Sequence, residues 1–301
     1  MKSVPCLLFG EILFDCFPDG SQIPGGAPFN VAWHLRSFGI APALITRVGR
    51  DAAGRKLLAL MASHGMNTGH VQEDALHPTG TVAVHQATMG HVFEILPEQA
   101  YDHIAPPLQP LPQAPAFLYH GSLAIRNAES RNALETIKIS TACPVFLDVN
   151  LRPPWWNRAD VLHLMTQSTW VKVNEEELAL LAPEQQDTAA RASALMQRAR
   201  QTQMLIVTRG AEGSLLFTPK GHALLYAAAA VHGPEVDSVG AGDAFCAVFL
   251  LGISQGWAVG LTMHRAQEFA AALIGRRGAT VEDPLFHQDF LKRWENDQTD
   301  E

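Results

Sequence analysis

Short apolar runs recur along this chain, and stretches with helical spacing separate them. Residues 4–10 form an apolar run closed by glycine, and 43–48, 117–119, 145–149, 170–173 and 205–208 repeat the pattern. Between them, 29–38 carries Phe29, Ala32, Trp33, Leu35 and Phe38 at helical spacing, with Gly39 as a stop. Residues 56–64 read as a helix ended by Gly65, and 244–253 and 264–274 as two strongly apolar helices. Strands this short and this apolar are buried on both faces. Alternation with helices predicts an α/β fold: a doubly wound, mostly parallel sheet with helices on both faces. Although 301 residues leave room for two domains, no linker divides them, so one domain over 1–301 is expected.

One region breaks the rhythm. Residues 81–87 and 91–95 alternate polar and apolar, with Met89-Gly90 between them, which signals a hairpin. Residues 12–23 are short, turn-rich and non-helical. A small β-sheet lid built from 12–23 and 79–95 would stand over the carboxyl ends of the parallel strands, where open α/β sheets bind ligands.

Composition excludes several classes. A net charge of −8 argues against a broad nucleic-acid surface, which needs cations to displace counterions from phosphate. Cys6, Cys16, Cys143 and Cys246 form no CxxC pair, so they read as reduced thiols, mostly buried. The apolar run 223–231 is far shorter than the ~20 residues a bilayer requires. Near the N-terminus Glu11 and Asp15 interrupt the apolar stretch, and no cleavage site follows. A cytoplasmic setting with no membrane or nucleic-acid partner is expected. Pro106, Pro107, Pro110 and Pro112 mark a loop, and 295–301 a polar tail.

Two segments carry chemistry. Asp237-Ser238-Val239-Gly240-Ala241-Gly242-Asp243 runs straight into an apolar helix. Its glycines free the backbone, and the helix start offers unpaired N–H groups, which together suit a phosphate. Asp243 in the first turn can take a proton from an attacking hydroxyl, or can simply cap the helix. The segment is neither a P-loop nor a GxGxxG turn, since Phe245 occupies the third glycine position. The second segment, Pro24-Gly25-Gly26-Ala27-Pro28-Phe29-Asn30, allows close backbone approach and places Asn30 on a helix. Its amide suits sugar hydroxyls, and an ordinary helix-initiating turn reads the same way.

Taken together, residues 25–32 resemble the N-terminal signature of the ribokinase-like (PfkB) carbohydrate kinases, and Asp237–Asp243 resembles their C-terminal D[ST]xGAGD signature. Gly10-Glu11-Ile12-Leu13-Phe14-Asp15 looks like the opening strand and substrate aspartate. Asp148-Val149-Asn150-Leu151-Arg152-Pro153, followed by Trp155-Trp156, is similar to the fructokinase branch. Asn174-Glu175-Glu176-Glu177 and Thr208-Arg209-Gly210-Ala211-Glu212-Gly213 fit two further motifs in the family order.

The resemblance implies transfer of the γ-phosphoryl of ATP to a sugar hydroxyl, with fructose as the favoured sugar. Asp243 would be the base, and the amides of Gly240, Ala241 and Gly242 would hold developing charge. Asp15, Gly25, Gly26 and Asn30 would line the sugar site. Arg152 would meet substrate or phosphate, a surface ion pair being its alternative. Asn174, Thr208, Gly210 and Gly213 would line the nucleotide site. Glu177 would serve Mg2+, through water or directly. Asp237 and Val239, with residues 276–278, would border a monovalent cation such as K+. A homodimer through the lid is a further expectation.

Alternatives stay open at this point. They are a 2-keto-3-deoxygluconate kinase, a nucleoside or aminoimidazole riboside kinase, a sugar-phosphate kinase, and a non-catalytic sugar-binding protein on the same fold. Phe29 is bulkier than the small residue expected there and would narrow the sugar pocket. The thirteen histidines show no ligand spacing and read as satisfied or solvated. Trp155 and Trp156 read as loop packing, or as a stacking platform.

Overall fold

The computed structural model describes residues 4–86, 91–221, 223–227, 239–274, 276 and 278–296. The elements run β1 (Cys6–Phe9), β2 (Leu13–Cys16), β3 (Gln22–Gly25), α1 (Ala27–Ser37), β4 (Pro42–Gly49), α2 (Ala52–Ser63), β5 (Val71–Asp74), β6 (Gly80–Gln86), β7 (His91–Ile95), β8 (Leu118–His120), α3 (Ala128–Thr141), β9 (Val145–Asp148), α4 (Arg158–Thr166), β10 (Trp170–Asn174), α5 (Glu175–Leu181), α6 (Thr188–Arg198), β11 (Met204–Thr208), β12 (Ser214–Phe217), β13 (Ala223–Tyr226), α7 (Ala241–Gln255), α8 (Val259–Ile274) and α9 (Pro284–Asn296).

Among the described residues, nine strands form one sheet in the order β13-β12-β11-β10-β9-β8-β1-β4-β5. From β11 to β5 every pairing is parallel, and β12 and β13 add an antiparallel edge. This is the expected doubly wound, mostly parallel sheet with helices on both faces. The antiparallel edge and β5 lay outside the sequence expectation, because these strands are short and partly exposed. Alternation along β1 shows why both faces need cover. Cys6 and Leu8 enter one core, with α1, α2 and α7–α9; Leu7 and Phe9 enter the other, with α3–α6. Helices α2–α6 start on Asp or Asn caps: Asp51, Asn127, Asn157, Asn174 and Asp187 each accept a first-turn backbone N–H.

A second sheet has the order β3-β2-β6-β7 and forms the lid. β6 and β7 pair antiparallel, Val82 opposite Ile95, as the hairpin signature predicts, while the joining residues 87–90 lie outside the described ones. β2 and β6 pair in parallel, because they come from different crossings of the main sheet. β3 runs to Gly25, so the lid ends directly on the turn that starts α1.

Two expectations are corrected. Phe29 does not narrow a pocket: it is fully buried in the core, edge-on to Trp33 with ring centroids 5.7 Å apart. Only Cys6 and Cys246 are buried, whereas Cys16 and Cys143 are half-buried; all four are free thiols. Trp155 packs in its loop, donating Nε1–H to the Ile95 carbonyl at 3.2 Å beneath the Arg126 guanidinium. No helix among the described residues is long and apolar enough to cross a membrane.

Candidate active site

α7 begins without a side-chain cap. Its N-cap is Gly240 at φ +82°, a left-handed conformation that glycine adopts freely. A Cβ here would collide with Cβ and Cα of Ala279, so the turn is pressed against the 279–281 segment. That segment is itself fixed to α1. Trp33 donates Nε1–H to the Val281 carbonyl at 3.0 Å, and His34 gives Nε2–H to the Ala279 carbonyl at 2.9 Å. Burial pushes His34 down to about 4, so its other nitrogen can accept from His287, 3.0 Å away. The opening turn of α7 is thus braced, with the amides of Gly240, Ala241 and Gly242 at the uncapped end.

Asp243 occupies the third position of α7 and accepts a hydrogen bond from the Asn30 amide, Nδ2 to Oδ2, at 2.8 Å. Asn30 is buried, and its Oδ1 has no partner, so an acceptor is left for a hydroxyl. Burial pushes Asp243 up to about 6, and the Asp148 carboxylate adds to this. The Asn30 bond and the charges of Lys172 and Arg152 pull the other way.

Beneath the turn lies a buried ion pair. Lys172 Nζ is 2.9 Å from Asp148 Oδ1. A Cβ on Gly242 would sit 3.3 Å from that ammonium, so a cation backs the amides of the α7 start. Burial opposes the charge on Lys172, but Asp148 and its neighbours hold it above the ordinary range. The Tyr119 hydroxyl and the Cys246 thiol approach the other Asp148 oxygen, each at 3.4 Å. Sequence reading assigned no role to Asp148, Lys172 or Glu11. The available signal was a single lysine inside the apolar strand 170–174 and an acid directly after β1.

Glu11 is 3% exposed. Its carboxyl accepts the Ala27 N–H, so it caps α1, whose N-cap residue Gly26 has no side chain to do so. Oε2 has no partner, and burial lifts the group to about 7. Gly26 sits at φ +105°, and a Cβ there would meet the Glu11 carbonyl oxygen at 2.5 Å. Gly25 faces Asp15 across the β2–β3 pair, with 3.0 Å from a notional Cβ to Asp15 Oδ2. Arg152 is exposed on the loop after β9, and its charge bears on both Glu11 and Asp243. Asp15 and Gly25 on the lid strands thus face each other beside the α1 start, which carries Gly26 and Asn30, and Asn30 reaches Asp243.

The expected nucleotide residues gather one strand further on. Asn174 ends β10 opposite Thr208 at the end of β11. Gly210 and Gly213, at φ +52° and +88°, close the turn into β12, and Arg209 pairs with Glu175 and Glu212. Glu177 is committed to the backbone: Oε1 accepts Leu151 N–H at 2.7 Å, and Oε2 accepts Asn174 N–H at 2.8 Å. Such a carboxylate fits a hydrated Mg2+ held through water better than one ligated directly, since Mg2+ keeps several waters. Val239 is exposed beside the α7 start, and Arg276 lies over the Phe286 ring; Asp237 is outside the described residues.

Comparison with known proteins gives the chain a family. The sequence model described as pfkB family carbohydrate kinase matches residues 17–284. A fructokinase of Klebsiella pneumoniae is 30% identical over 263 residues, covering 82% of this chain and 83% of its own. The fructokinase structure from Vibrio cholerae O395 in its fructose, ADP and calcium ion bound form superposes with a TM-score of 0.78 at 27% identity, covering 92% of this chain and 95% of that one. An aminoimidazole riboside kinase from Salmonella enterica shares the fold, with a TM-score of 0.81 at 24% identity over 95% and 99% of the two chains. The chain belongs to the pfkB family of carbohydrate kinases.

Proposed function

We propose that this kinase transfers the γ-phosphoryl group of ATP to a primary hydroxyl of fructose. The contact that carries this reading is Asn30 to Asp243, which puts a hydroxyl-binding amide and a raised carboxylate at one uncapped helix start. Asp243 takes the proton as the sugar oxygen bonds to phosphorus and the bond to ADP breaks. The amides of Gly240, Ala241 and Gly242, backed by Lys172, stabilise charge on the equatorial oxygens. Asp15 and Asn30 orient the sugar, and Gly25 and Gly26 let it approach the backbone. Asn174, Thr208, Gly210 and Gly213 receive the nucleotide. Mg2+, when bound with ATP, neutralises phosphate charge; Glu177 is the residue that meets its waters. The same reading assigns K+ to the region of Asp237 and Val239. It treats the chain as one domain, working in the cytoplasm, with the lid edge as the dimer contact.

A second reading has its own support. Arg152 is an exposed cation whose charge reaches the site, which suits an anionic sugar such as 2-keto-3-deoxygluconate. ADP release with ATP, Mg2+ and K+ over a panel of fructose, ribose, glucose, 2-keto-3-deoxygluconate, fructose 6-phosphate, adenosine and aminoimidazole riboside decides. Turnover dominated by fructose supports the proposal. Turnover dominated by the sugar acid, and lost in Arg152→Ala, replaces it with the second reading. Binding of a sugar by calorimetry with no ADP release would make the chain a binding protein instead.

A further inference from the structure

We propose that His34 and His287 are positioning residues for phosphoryl transfer, a role that rests on the kinase reading. The two side chains touch no reacting atom. They act through the 279–281 segment, which sets the α7 start from below.

Donor and acceptor roles follow from the partners. A carbonyl oxygen only accepts, so His34 Nε2 carries the proton that bonds the Ala279 carbonyl at 2.9 Å. With one proton per ring, His34 Nδ1 holds a lone pair and accepts from His287 Nε2 at 3.0 Å. His287 Nδ1 is buried without a partner, and in this tautomer it is a bare lone pair, not an orphaned N–H. The bonds thus run one way, from α9 through α1 to the segment beneath Gly240. Both histidines are 0% exposed. Aromatic rings hold them: Phe269 lies edge-on to His34 at 5.2 Å and 86°, and Phe38 edge-on to His287 at 5.0 Å and 79°.

α1 meets the α7 start twice. Asn30 and His34 are four positions apart and share a face of α1. Asn30 holds Asp243, the third residue of α7. One turn further along, His34 holds Ala279, against which the α7 N-cap Gly240 is pressed: a Cβ on Gly240 would lie 2.4 Å from Ala279 Cβ. One helix face therefore fixes the carboxylate directly and the amides through Ala279. Loss of the second contact lets the amides shift relative to Asp243. Such a shift costs rate more than binding, because the amides act on charge that develops only in the transition state.

Kinetics of full-chain variants test this, with ATP, Mg2+ and whichever panel sugar gives turnover, at a temperature below the melting transition. Amide exchange without substrate is the second readout. His34→Ala should lower kcat about tenfold to a hundredfold, with KM for the sugar changed by less than about threefold. His34→Gln, whose amide can donate to the Ala279 carbonyl, should recover most of kcat. His287→Phe keeps a ring in the aromatic cluster, removes the donor and should lose part of kcat. Exchange in the first turn of α7, where Ala244 donates to the Gly240 carbonyl at 2.8 Å, should quicken in His34→Ala. Leu195→Ala, buried in the opposite core, is the control: a lower melting temperature with kcat and α7 exchange unchanged.

Wild-type kcat in both His34→Ala and His287→Phe overturns the proposal, as does a kcat loss that Leu195→Ala matches. If His34→Ala does not fold, Ala279→Gly takes its place, since it removes the β-carbon beneath Gly240 and leaves both histidines. Unchanged kcat in that variant overturns the proposal equally. Exchange needs no sugar, so a wrong substrate assignment leaves that arm intact, and unaltered α7 exchange in the histidine variants overturns the proposal by itself.

Discussion

Asn30 and Asp243 lie 213 positions apart in the chain and 2.8 Å apart in space. The amide donates to the carboxylate, so each of the two signature segments sets the chemistry of the other. Asp243 is half-buried with its value lifted to about 6, which lets it be both ionised and basic near neutral pH.

Turnover should therefore fall as pH drops through about 6, because protonated Asp243 cannot accept the hydroxyl proton. Asp243→Asn should fold and bind sugar, yet lose about 10²–10⁴ in kcat. Steady-state kinetics from pH 5 to 8.5 checks both. A variant with near-normal kcat would remove Asp243 from the base role.

Glu11 predicts a pH effect on stability. Its value rises from the ordinary 4.5 to about 7 in the folded chain, so between these limits the folded state binds more protons. Stability should fall as pH rises through this window, and Glu11→Gln should flatten the fall. The difference at pH 8 is on the order of 2–3 kcal/mol, read by urea denaturation at pH 5 and pH 8. Parallel pH profiles for the two proteins would contradict it.

Lys172→Met strands Asp148 as a buried, unpaired carboxylate. A destabilisation of about 3–5 kcal/mol is expected, with much of it recovered when Asp148→Asn is added. Because Lys172 pulls Asp243 down, its loss should also move the acid limb of turnover to higher pH. Melting curves and the pH profile of kcat report the two effects separately.

Gly240→Ala forces a β-carbon into Ala279 at a positive φ. Loss of about 1–3 kcal/mol is expected, together with a drop in kcat that exceeds any change in KM for ATP. Thermal melting with kinetics of the same preparation checks this. Unchanged melting would mean that the turn relaxes freely.

The parallel core was legible because strands buried on both faces must be largely apolar, as 6–9, 145–147 and 205–207 are. The lid was legible from alternation. β12 and β13 were not, since Leu215, Leu224 and Leu225 are partly or largely exposed and carry no burial pattern. Within the site, Asp243, Asn30 and the glycines were readable because they fall in compact segments. The Asp148–Lys172 pair was not, because its members come from different strands and meet only through the sheet register.

Gly240 rests on Ala279, and α1 reaches the same segment through Trp33 and His34. During synthesis on the ribosome, the turn at 240 emerges some forty residues before its support. A nascent chain can assemble the sheet and the lid while its phosphate cradle is still unset. Phosphoryl transfer would thus begin only once residues 279–281 have emerged and docked against Gly240 and α1.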